Sequence, residues 1–409
     1  MKNNLRQNIF FFLCLLLILG VMLMDLARIL PSMAMIGIVL LGISYFIRKN
    51  PYPIQKNKLP YLALSCTFII LLPSYFYSDN QTYLFEKWQV AIPYLVLPLA
   101  FMVIPQMPKR RYYQLYQFYF GLVLLTALSA FIYYLFNQQL VNQLYLSSKV
   151  MPTFWISHHP TLSIMAAFAM FIAYWLYQSG YYYRFIFERY IFLAGGVFLF
   201  IFIHVFSVRS GLLALYVLIF YELARMAIQQ KRIKAAILTA LSMFIVGSTT
   251  LLISPTFSNR VANTSQDLQS YRNNESANHK SLASRMISYK NAIRINKESS
   301  FLFGCGLGDI SDLNLIIFKA EYPDITKPII PHNQFLFYFA AIGFTGALVF
   351  TFLFFFPVLA DKNFRNVILV VHYLVLLVAF QFEAPMETQL GVAYSLVFIL
   401  IPLHQDIKI

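Results

Sequence analysis

Charged residues are scarce in this sequence, and their scarcity restricts the class of protein. Of the 409 residues, 11% are charged and 59% are hydrophobic, and the mean hydropathy is +0.65. A soluble domain carries about 25% charged residues. A chain this apolar cannot hide its hydrophobic surface from water, so we expect a lipid bilayer to be its solvent.

Cysteine is nearly absent as well. The three cysteines, Cys14, Cys66 and Cys305, form no CxxC pair and no cluster with histidine. Neither a disulfide framework nor a zinc site is therefore predicted, and we expect no bound metal. The first two cysteines fall in apolar runs, whereas Cys305 stands alone in a long polar segment.

The basic residues form no domain of their own, although the net charge is +15. They lie in short clusters between apolar runs, a distribution that orients a membrane protein. A chain that binds nucleic acid would instead carry a basic face or stripe. We therefore expect membrane lipid as a partner and no nucleic acid.

Long apolar runs are what the sequence has in abundance, and we count twelve. Several are shorter than the ~20 residues that an upright transmembrane helix needs, so their bounds are approximate. The first run is interpreted as a retained span, because no small-x-small cleavage site follows it. In chain order the runs are Ile9–Met24, Met33–Ile47, Leu59–Phe76, Val90–Ile104, Tyr112–Phe136, Thr161–Tyr177, Tyr190–Phe206, Leu212–Leu223, Ala235–Ile253, Phe335–Pro357, Val367–Phe382 and Val392–Leu403.

The Lys and Arg residues favour every second connection between these runs. One set of alternate connections holds 18 of them, and the short connections of the other set hold four. Cytoplasmic loops carry the excess of positive charge, so both termini are predicted to be cytoplasmic. The predicted organisation is spans one to nine in residues 1–253, a large outer loop in residues 254–331, and spans ten to twelve in residues 332–409.

The predicted outer loop contains one helix signal. Ser281 to Lys297 has helical spacing of apolar residues, with Arg285 beside the apolar stripe. Glycines at positions 304, 306 and 308 follow this helix and end it, whereas Ser258 to Lys280 is rich in Asn, Ser and Gln and stays undefined. The apolar stripe consists of Leu282, Met286, Tyr289 and Ile293.

The glycine-rich segment Gly304-Cys305-Gly306-Leu307-Gly308 has two interpretations. Its spacing resembles a loop that binds phosphate through backbone amides. A lone GxGxG outside the cytoplasm is weak evidence for a nucleotide, however. A turn is therefore the favoured interpretation.

Unusual polar residues gather at the predicted outer face, each at or beyond the end of a span. Convergence on one face is expected of a functional site and is not expected of random interfacial residues. The residues are His158, His159, Arg209, Arg285, His332, Glu383 and Glu387.

Arg209 is the most informative of the cations. It lies in a tight turn between two apolar runs, where an uncompensated charge is costly. Its guanidinium either extends to the membrane interface, the common position for an arginine near a span end, or binds an anion such as phosphate through its planar fork. Arg285 is interpreted in a similar way, as a solvated charge on the loop helix or as a second anion ligand.

His332 has the one side-chain type whose ordinary pKa suits proton transfer near neutral pH. It precedes the tenth run and is either a general base or an interfacial histidine bonded to a backbone carbonyl. Glu383 and Glu387 are spaced one turn apart and could share a helix face, and Glu387 could equally be a solvated acid. His158 and His159 diverge in direction on a helix, which favours hydrogen bonding to a glycan, or a simple interfacial position, over metal binding.

Together these residues resemble the O-antigen ligase and O-antigen polymerase family of bacterial envelope proteins. The resemblance covers residues 200–356 in detail, and the first half of the chain is similar in topology alone. Twelve spans with a single large loop between the ninth and the tenth are similar to this family. The residues that carry the resemblance are His332, Asn333, Gly343 and Gly346, the turn Ser207-x-Arg209-x-Gly211, and Arg285 upstream of the glycine-rich segment.

The resemblance implies an all-α, GT-C-like polytopic glycosyltransferase of the bacterial inner membrane. Such enzymes move a glycan from undecaprenyl diphosphate to an acceptor sugar on the periplasmic face, without a metal or another cofactor. Ligases use lipid A–core as the acceptor, and polymerases use a second lipid-linked repeat. The single large loop slightly favours a ligase.

The resemblance also assigns roles to residues. Arg209 and Arg285 match arginines assigned to the donor diphosphate, and His332 matches the histidine proposed as general base. Arginines suit this role because charge develops on the leaving diphosphate. A single displacement inverts the anomeric centre, whereas retention would need a carboxylate nucleophile, for which Glu383 is a weak candidate. Further candidate substrate-binding residues are His158, His159, Asn333 and Glu383.

Two other classes of protein are weighed against this one. A lipid-linked glycan transporter also fits twelve spans, but transporters carry charged or broken helices at the midplane, and these spans are nearly free of charge. A structural scaffold would not need His332. Glycan transfer is therefore the favoured prediction.

Overall fold

The computed structural model of the chain describes residues 2–47, 57–147, 149–181, 185–273, 281–322 and 330–405. Throughout these residues the regular structure is helical, and they contain no β-strand. The predicted all-α fold is thereby confirmed. Several cations that set the predicted orientation, among them Arg48, Lys49 and Arg184, lie outside the described residues.

Nine helices in the described part of the chain are long and apolar enough to cross a bilayer. Two shorter apolar helices, Val367–Phe382 and Gln389–Gln405, follow them. The chain is therefore an all-α polytopic membrane protein, as predicted. The fourth predicted run gives only an 11-residue helix, because Pro93 starts a new helix within it. The exact count of twelve spans stays a prediction.

The α-helices follow one another with short connections. Short 3-10 helices at Leu72–Phe76 and Pro385–Glu387 link some of them. In chain order the α-helices are α1 (Lys2–Met22), α2 (Ile29–Ile47), α3 (Leu59–Ile69), α4 (Gln81–Ala91), α5 (Pro93–Val103), α6 (Lys109–Phe136), α7 (Gln138–Leu146), α8 (His159–Ser179), α9 (Glu188–Phe206), α10 (Arg209–Ala224), α11 (Ile233–Ile253), α12 (Pro255–Arg272), α13 (Ser281–Glu298), α14 (Ile310–Glu321), α15 (Gln334–Leu359), α16 (Val367–Phe382) and α17 (Gln389–Gln405).

The helices form two compact units. The first unit comprises Met1–Tyr112 and Asp267–Ile409, and the second comprises Tyr113–Gln266. In the first unit α15 packs on α3, α13 and α16, and α17 packs on α1, α5 and α16. In the second unit α8 packs on both α9 and α10. The predicted division into spans and loop describes membrane topology, which the two units do not test.

Helix α15 is broken at Gly343, whose φ of +71° lies in the left-handed region. A Cβ at this position would lie 2.3 Å from the backbone of Leu302, so glycine alone fits here. Residues 301–306 supply the hydrogen-bond partners that the break leaves open. These bonds run from the amides of Cys305, Gly306, Phe344 and Thr345 to the carbonyls of Ala340, Ala341, Phe301 and Leu302, respectively.

Helix α13 confirms the predicted loop helix, but its buried face differs from the predicted stripe. Ala283, Ile287 and Ile295 are buried, whereas Ile293 of the predicted stripe is 40% exposed. The buried face of α13 is rotated relative to the predicted apolar stripe, because α13 packs on both α14 and α15. The helix also ends at Glu298, before the glycines that were predicted to end it.

Helix α12 occupies much of the polar segment that the sequence left undefined. Residues 274–280 of that segment lie outside the described residues. The asparagines that weakened the helix signal anchor α12, because Asn259 and Asn263 donate to the carbonyls of Asn142 and Leu146 at 2.9 and 3.2 Å. Helix propensity alone cannot reveal such tertiary contacts.

Candidate functional site

Glu383 lies between His332 and Arg285 in the first unit and bonds both. Its Oε2 lies 2.6 Å from His332 Nδ1, and its Oε1 lies 2.9 Å from Arg285 Nη2. The Glu383 side chain is 11% exposed and the His332 side chain is 30% exposed. The carboxylate is thus held inside the protein, while the imidazole remains within reach of a substrate.

Three helix ends bring these side chains together. Arg285 lies in the second turn of α13, His332 lies two residues before α15 begins, and Glu383 directly follows the last residue of α16. The Glu383 backbone is extended, with φ −147° and ψ 167°. Helix ends allow such convergence because their side chains are not committed to a helix–helix interface.

Tyr289 ties two of these helix ends together. Its hydroxyl lies 2.9 Å from the carbonyl oxygens of both His332 and Gln381, and it can donate to one of them at a time. Burial raises the pKa of Tyr289, and the nearby Arg285 partly opposes this effect. The hydroxyl therefore keeps its proton near neutral pH and acts as a donor that holds the His332 backbone.

Asn333 has a structural role beside the histidine. Its Oδ1 accepts from the Leu336 amide at 3.0 Å and caps the N-terminus of α15. Its Nδ2 lies 3.3 Å from the side-chain oxygen of Gln381. These contacts fix where α15 starts, and so where His332 lies. The predicted contact of Asn333 with substrate stays a prediction.

The hydrogen bond to Glu383 determines which imidazole nitrogen can accept a proton. An ionised carboxylate only accepts hydrogen bonds, so His332 Nδ1 carries the hydrogen that points at Glu383. The neutral ring then has its lone pair on Nε2. Arg285 Nη2 pairs with the other oxygen of Glu383. This arrangement suits a general base whose conjugate acid is stabilised by a neighbouring negative charge.

Lys87 and Glu387 form a second buried ion pair. Glu387 lies four residues after Glu383 in the sequence. Lys87 Nζ lies 3.2 Å from Glu387 Oε2, and their side chains are 13% and 4% exposed. Burial raises the pKa of Glu387, although Lys87 opposes it. Burial lowers the pKa of Lys87, but Glu387 and Tyr83 outweigh it and leave that pKa raised. Interpreting Glu387 as a solvated acid was therefore wrong.

The predicted shared helix face of Glu383 and Glu387 was also wrong. Pro385 starts a three-residue 3-10 helix between them, and the two carboxylates bond different cations. The sequence analysis did not identify Lys87 as a candidate site residue. Lys87 was counted only among the Lys and Arg residues that predict the membrane orientation. A lone lysine in an otherwise poorly charged outer connection was the signal that could have identified it.

Arg209 begins α10 in the second unit. Ser207 has a φ of +49° and ends α9, so the chain reverses within two residues. Arg209 Nη2 donates to Thr264 Oγ1 at 2.5 Å. Its guanidinium therefore bonds α12, and this contact tests neither the interfacial nor the anion-binding interpretation of Arg209. A shared site of Arg209, Arg285 and His332 stays a prediction, because they belong to different units.

His158 and His159 start α8 in the second unit. His158 precedes the first helical residue, and its Nδ1 lies 2.7 Å from Thr161 Oγ1. The His159 ring packs edge-on against Phe206, with 6.0 Å between the ring centroids. Neither contact determines whether these histidines bind glycan, and the absence of a metal requirement also stays a prediction.

The backbone amides of the glycine-rich segment are occupied by protein acceptors. Besides the bonds to α15, the amides of Leu307 and Gly308 donate to Ser74 Oγ at 3.4 Å and Ser78 Oγ at 3.1 Å. Burial raises the pKa of the Cys305 thiol to about 12. A phosphate would have to displace these bonds, so the observed geometry supports the turn interpretation over a phosphate-binding loop.

A comparison with protein families gives a match in the second half of the chain. No curated protein matches the chain. The family model described as O-antigen ligase matches residues 194–351, a region that contains Arg209, Arg285 and His332 and ends before Glu383. This match confirms the resemblance that the sequence predicted: residues 194–351 of the chain are similar to the O-antigen ligase family.

Proposed function

We propose that this protein is a membrane glycosyltransferase that moves a glycan from undecaprenyl diphosphate to an acceptor sugar, with His332 as general base. The observation that supports this proposal best is the chain of contacts from His332 through Glu383 to Arg285. The family match supports the coarser assignment to a ligase-type or polymerase-type glycosyltransferase.

The acceptor hydroxyl gives its proton to His332 Nε2 in the proposed step. The hydroxyl oxygen forms a bond to the anomeric carbon of the donor sugar while the bond from that carbon to the diphosphate oxygen breaks. The bonding electron pair leaves with the diphosphate. Glu383 stabilises the imidazolium that forms, in the same way that an aspartate supports the histidine of a serine protease.

Arg285 supports the reaction through two contacts. Nη2 holds Glu383, and the guanidinium has further N–H groups that can bind a phosphate oxygen of the donor. Arg209 keeps its proposed role as a phosphate ligand within the second unit. Both would stabilise charge that grows on the leaving diphosphate.

The geometry around Glu383 favours inversion of the anomeric centre. Both carboxylate oxygens are engaged, one by Arg285 and the other by His332. A nucleophile for a double displacement needs an oxygen directed at the anomeric carbon. Glu383 therefore fits the role of a residue that positions the base, and single displacement is the proposed course.

Transport of a lipid-linked glycan is the candidate from a different class, and one observation bears on it. Broken spans such as α15 are common in transporters, where unwound backbone binds ions or substrate. In this protein residues 301–306 occupy the backbone groups at the break. The break is therefore a packing feature of the fold, and glycan transfer remains the better supported proposal.

The proposed location is the bacterial inner membrane, with both termini cytoplasmic and the reactive face periplasmic. Lipid A–core is the favoured acceptor. Polymerisation of O-antigen or exopolysaccharide repeats is the alternative for the same site, since both reactions need the same donor chemistry.

The proposal is tested with purified protein, a lipid-linked glycan donor, and either lipid A–core or a second lipid-linked repeat as acceptor. We expect His332→Ala to lower turnover about 10²- to 10⁴-fold, the usual contribution of a general base. Glu383→Gln should lower kcat more than it raises the donor KM, because it acts on His332 directly and on donor binding only through Arg285. Lys290→Ala, an exposed change on the same helix as Arg285, should behave as wild type.

Undiminished turnover by a correctly folded His332→Ala variant would exclude His332 as the base. Product formed with the second lipid-linked repeat and not with lipid A–core would replace the ligase assignment with the polymerase one. Transfer to neither acceptor, with movement of the lipid-linked glycan across vesicles, would favour the transporter.

A further inference from the structure

We propose that a cavity of the first unit, between residues 73–80 and residues 299–313, binds an uncharged sugar unit of a substrate glycan. We name it the aspartate cavity, after Asp79, Asp309 and Asp312 in its lining. The inference rests on the proposed function for the nature of the ligand. It also gives a role to the glycine-rich segment, which the proposed reaction does not use.

The aspartate cavity has the size and the composition of a ligand site. Its volume is about 1060 Å³, at the upper end of the range of about 300–1,000 Å³ that is typical of such sites. The rings of Phe76, Tyr77 and Phe303 line it together with the three aspartates. Phe76 is 87% exposed and Phe303 is 61% exposed, so both rings are accessible to a ligand.

The glycine-rich segment holds the two walls of the cavity together. A Cβ at Gly308 would lie 2.5 Å from the carbonyl oxygen of Asn80, so glycine allows this close approach. Asp309 accepts hydrogen bonds from the backbone amides of Asn80 and Asp79 at 2.8 and 3.0 Å. Asn80 Nδ2 donates to Asp312 Oδ2 at 2.8 Å. The walls are therefore fixed within the protein, and such preorganisation lowers the cost of binding.

The carboxylates of the cavity suit hydroxyl groups. The side chains of Asp79 and Asp312 are exposed, and an ionised carboxylate accepts several hydrogen bonds. Among the residues that the structure describes, no group of three or more His, Cys, Asp or Glu could hold a metal ion. Sugar hydroxyls can donate to these carboxylates without a cation between them.

The charge of the lining favours an uncharged sugar. Of the described residues that line the cavity, three are aspartates and none is Lys or Arg. Repulsion between like charges disfavours a phosphorylated sugar or a uronic acid at this position. The faces of aromatic rings carry partial negative charge, which attracts the C–H groups of a sugar ring. A neutral sugar can therefore pack on the aromatic rings while its hydroxyls bind the aspartates.

The wall of the cavity contacts α15 close to the end that His332 precedes. The Cys305 amide donates to the Ala340 carbonyl at 2.9 Å. Ala340 lies six residues after Gln334, the first residue of α15, which is about 9 Å along the helix axis. A glycan of a few sugar units can extend over such a distance. The cavity therefore suits a sugar unit that does not itself react.

The experiment compares Phe303→Ala and Asp79→Asn with Leu302→Ala and Glu86→Gln in the full-length protein in nanodiscs. Leu302 is a partly exposed residue of the same segment, Glu86 is an exposed carboxylate of α4, and neither lines the cavity. Calorimetry measures binding of the core oligosaccharide released from lipid A and of the glycan released from the donor. Donor KM and acceptor KM are measured in parallel.

We expect wild type to bind at least one of the two oligosaccharides, and Phe303→Ala to weaken this binding about 10-fold, the value of one aromatic contact. Asp79→Asn should reduce discrimination against a phosphorylated form of the same oligosaccharide, because it removes one negative charge. A raised acceptor KM would identify the acceptor as the source of the sugar, and a raised donor KM would identify the donor. Leu302→Ala and Glu86→Gln should behave as wild type, and equal thermal unfolding of all variants excludes misfolding.

Failure of wild type to bind either oligosaccharide would overturn the inference, as would affinity of Phe303→Ala within twofold of wild type. An equal loss in Leu302→Ala would also overturn it, because disturbance of the segment would then be the cause. Tighter binding of the phosphorylated oligosaccharide would contradict the preference for an uncharged sugar.

The cavity and the proposed function can fail separately. If Phe303→Ala loses oligosaccharide binding but wild type transfers no glycan, the sugar site stands and the proposed glycosyltransferase function fails. If wild type transfers glycan and Phe303→Ala keeps both KM values and its oligosaccharide affinity, the function stands and the sugar site fails.

Discussion

At the scale of single residues, the role of His332 depends on a partner that the sequence does not place next to it. Glu383 lies 51 residues further along the chain, and Arg285 lies 98 residues from Glu383. The sequence identified all three as candidates from their position at span ends. It could not predict their contact, because side-chain proximity over such separations arises from tertiary packing.

Cys305 gives a test of burial at this scale. The thiolate is the reactive form of cysteine, and burial raises the pKa of Cys305 to about 12. Since the pKa is raised, the thiol stays protonated at pH 7 to 8. We expect a variant that keeps only Cys305, with Cys14 and Cys66 replaced by Ala, to resist maleimide labelling while folded.

The same variant unfolded in detergent and urea serves as the control and should label fully. Labelling of the folded variant should accelerate as the pH rises, because the thiolate fraction grows toward the raised pKa. Rapid labelling of the folded protein at pH 7 would show that residues 301–306 leave α15 and expose the thiol.

At the scale of elements, the short segment after α16 is held on two sides. Glu383 is bound by Arg285 of α13, and Glu387 is bound by Lys87 of α4. The Met386 amide also donates to Gln334 Oε1 at 2.8 Å. The segment that carries Glu383, the partner of His332, therefore depends on helices from both ends of the sequence.

Lys87→Met should lower the free energy of unfolding by about 3–5 kcal/mol, because it leaves the Glu387 charge buried without its cation. Adding Glu387→Gln should recover much of this loss, since the pair is then neutral and Gln keeps polar contacts. Thermal unfolding in detergent measures both. A double variant no more stable than Lys87→Met would show that the ion pair itself, and not burial of a lone charge, dominates.

Elements differ in how well the sequence predicted them. The helix α13 was predicted because its apolar residues repeat at helical spacing, although the buried face was rotated by contacts with α14 and α15. Helix α12 was not predicted, because asparagine and serine carry little helix propensity. Its stability comes from tertiary hydrogen bonds such as that of Asn259 to Asn142.

At the scale of the whole molecule, composition predicted the fold class correctly. A chain with 59% hydrophobic residues has to satisfy its backbone groups internally in lipid, and helices do this within one segment. The two units were not predictable in the same way. The first unit joins the beginning and the end of the chain, and such a closure leaves no local signal in the sequence.

Membrane orientation is the testable prediction at this scale. The excess of Lys and Arg in alternate connections predicts that Gln269 in α12 lies outside and that Gln230 lies in the cytoplasm. Alkaline phosphatase, which is active only outside the cytoplasm, should be active when fused after Gln269 and inactive when fused after Gln230. The reverse pattern would invert the predicted topology and place the His332 face in the cytoplasm.

The broken helix α15 has a consequence for biosynthesis. Residues 301–306 are made before α15, and the carbonyls of Ala340 and Ala341 have acceptor roles for their amides. Until these residues dock, the two halves of α15 leave backbone groups unsatisfied, at a cost of several kcal/mol for each group in lipid. Docking of residues 301–306 therefore completes the backbone hydrogen bonding of the helix that His332 precedes.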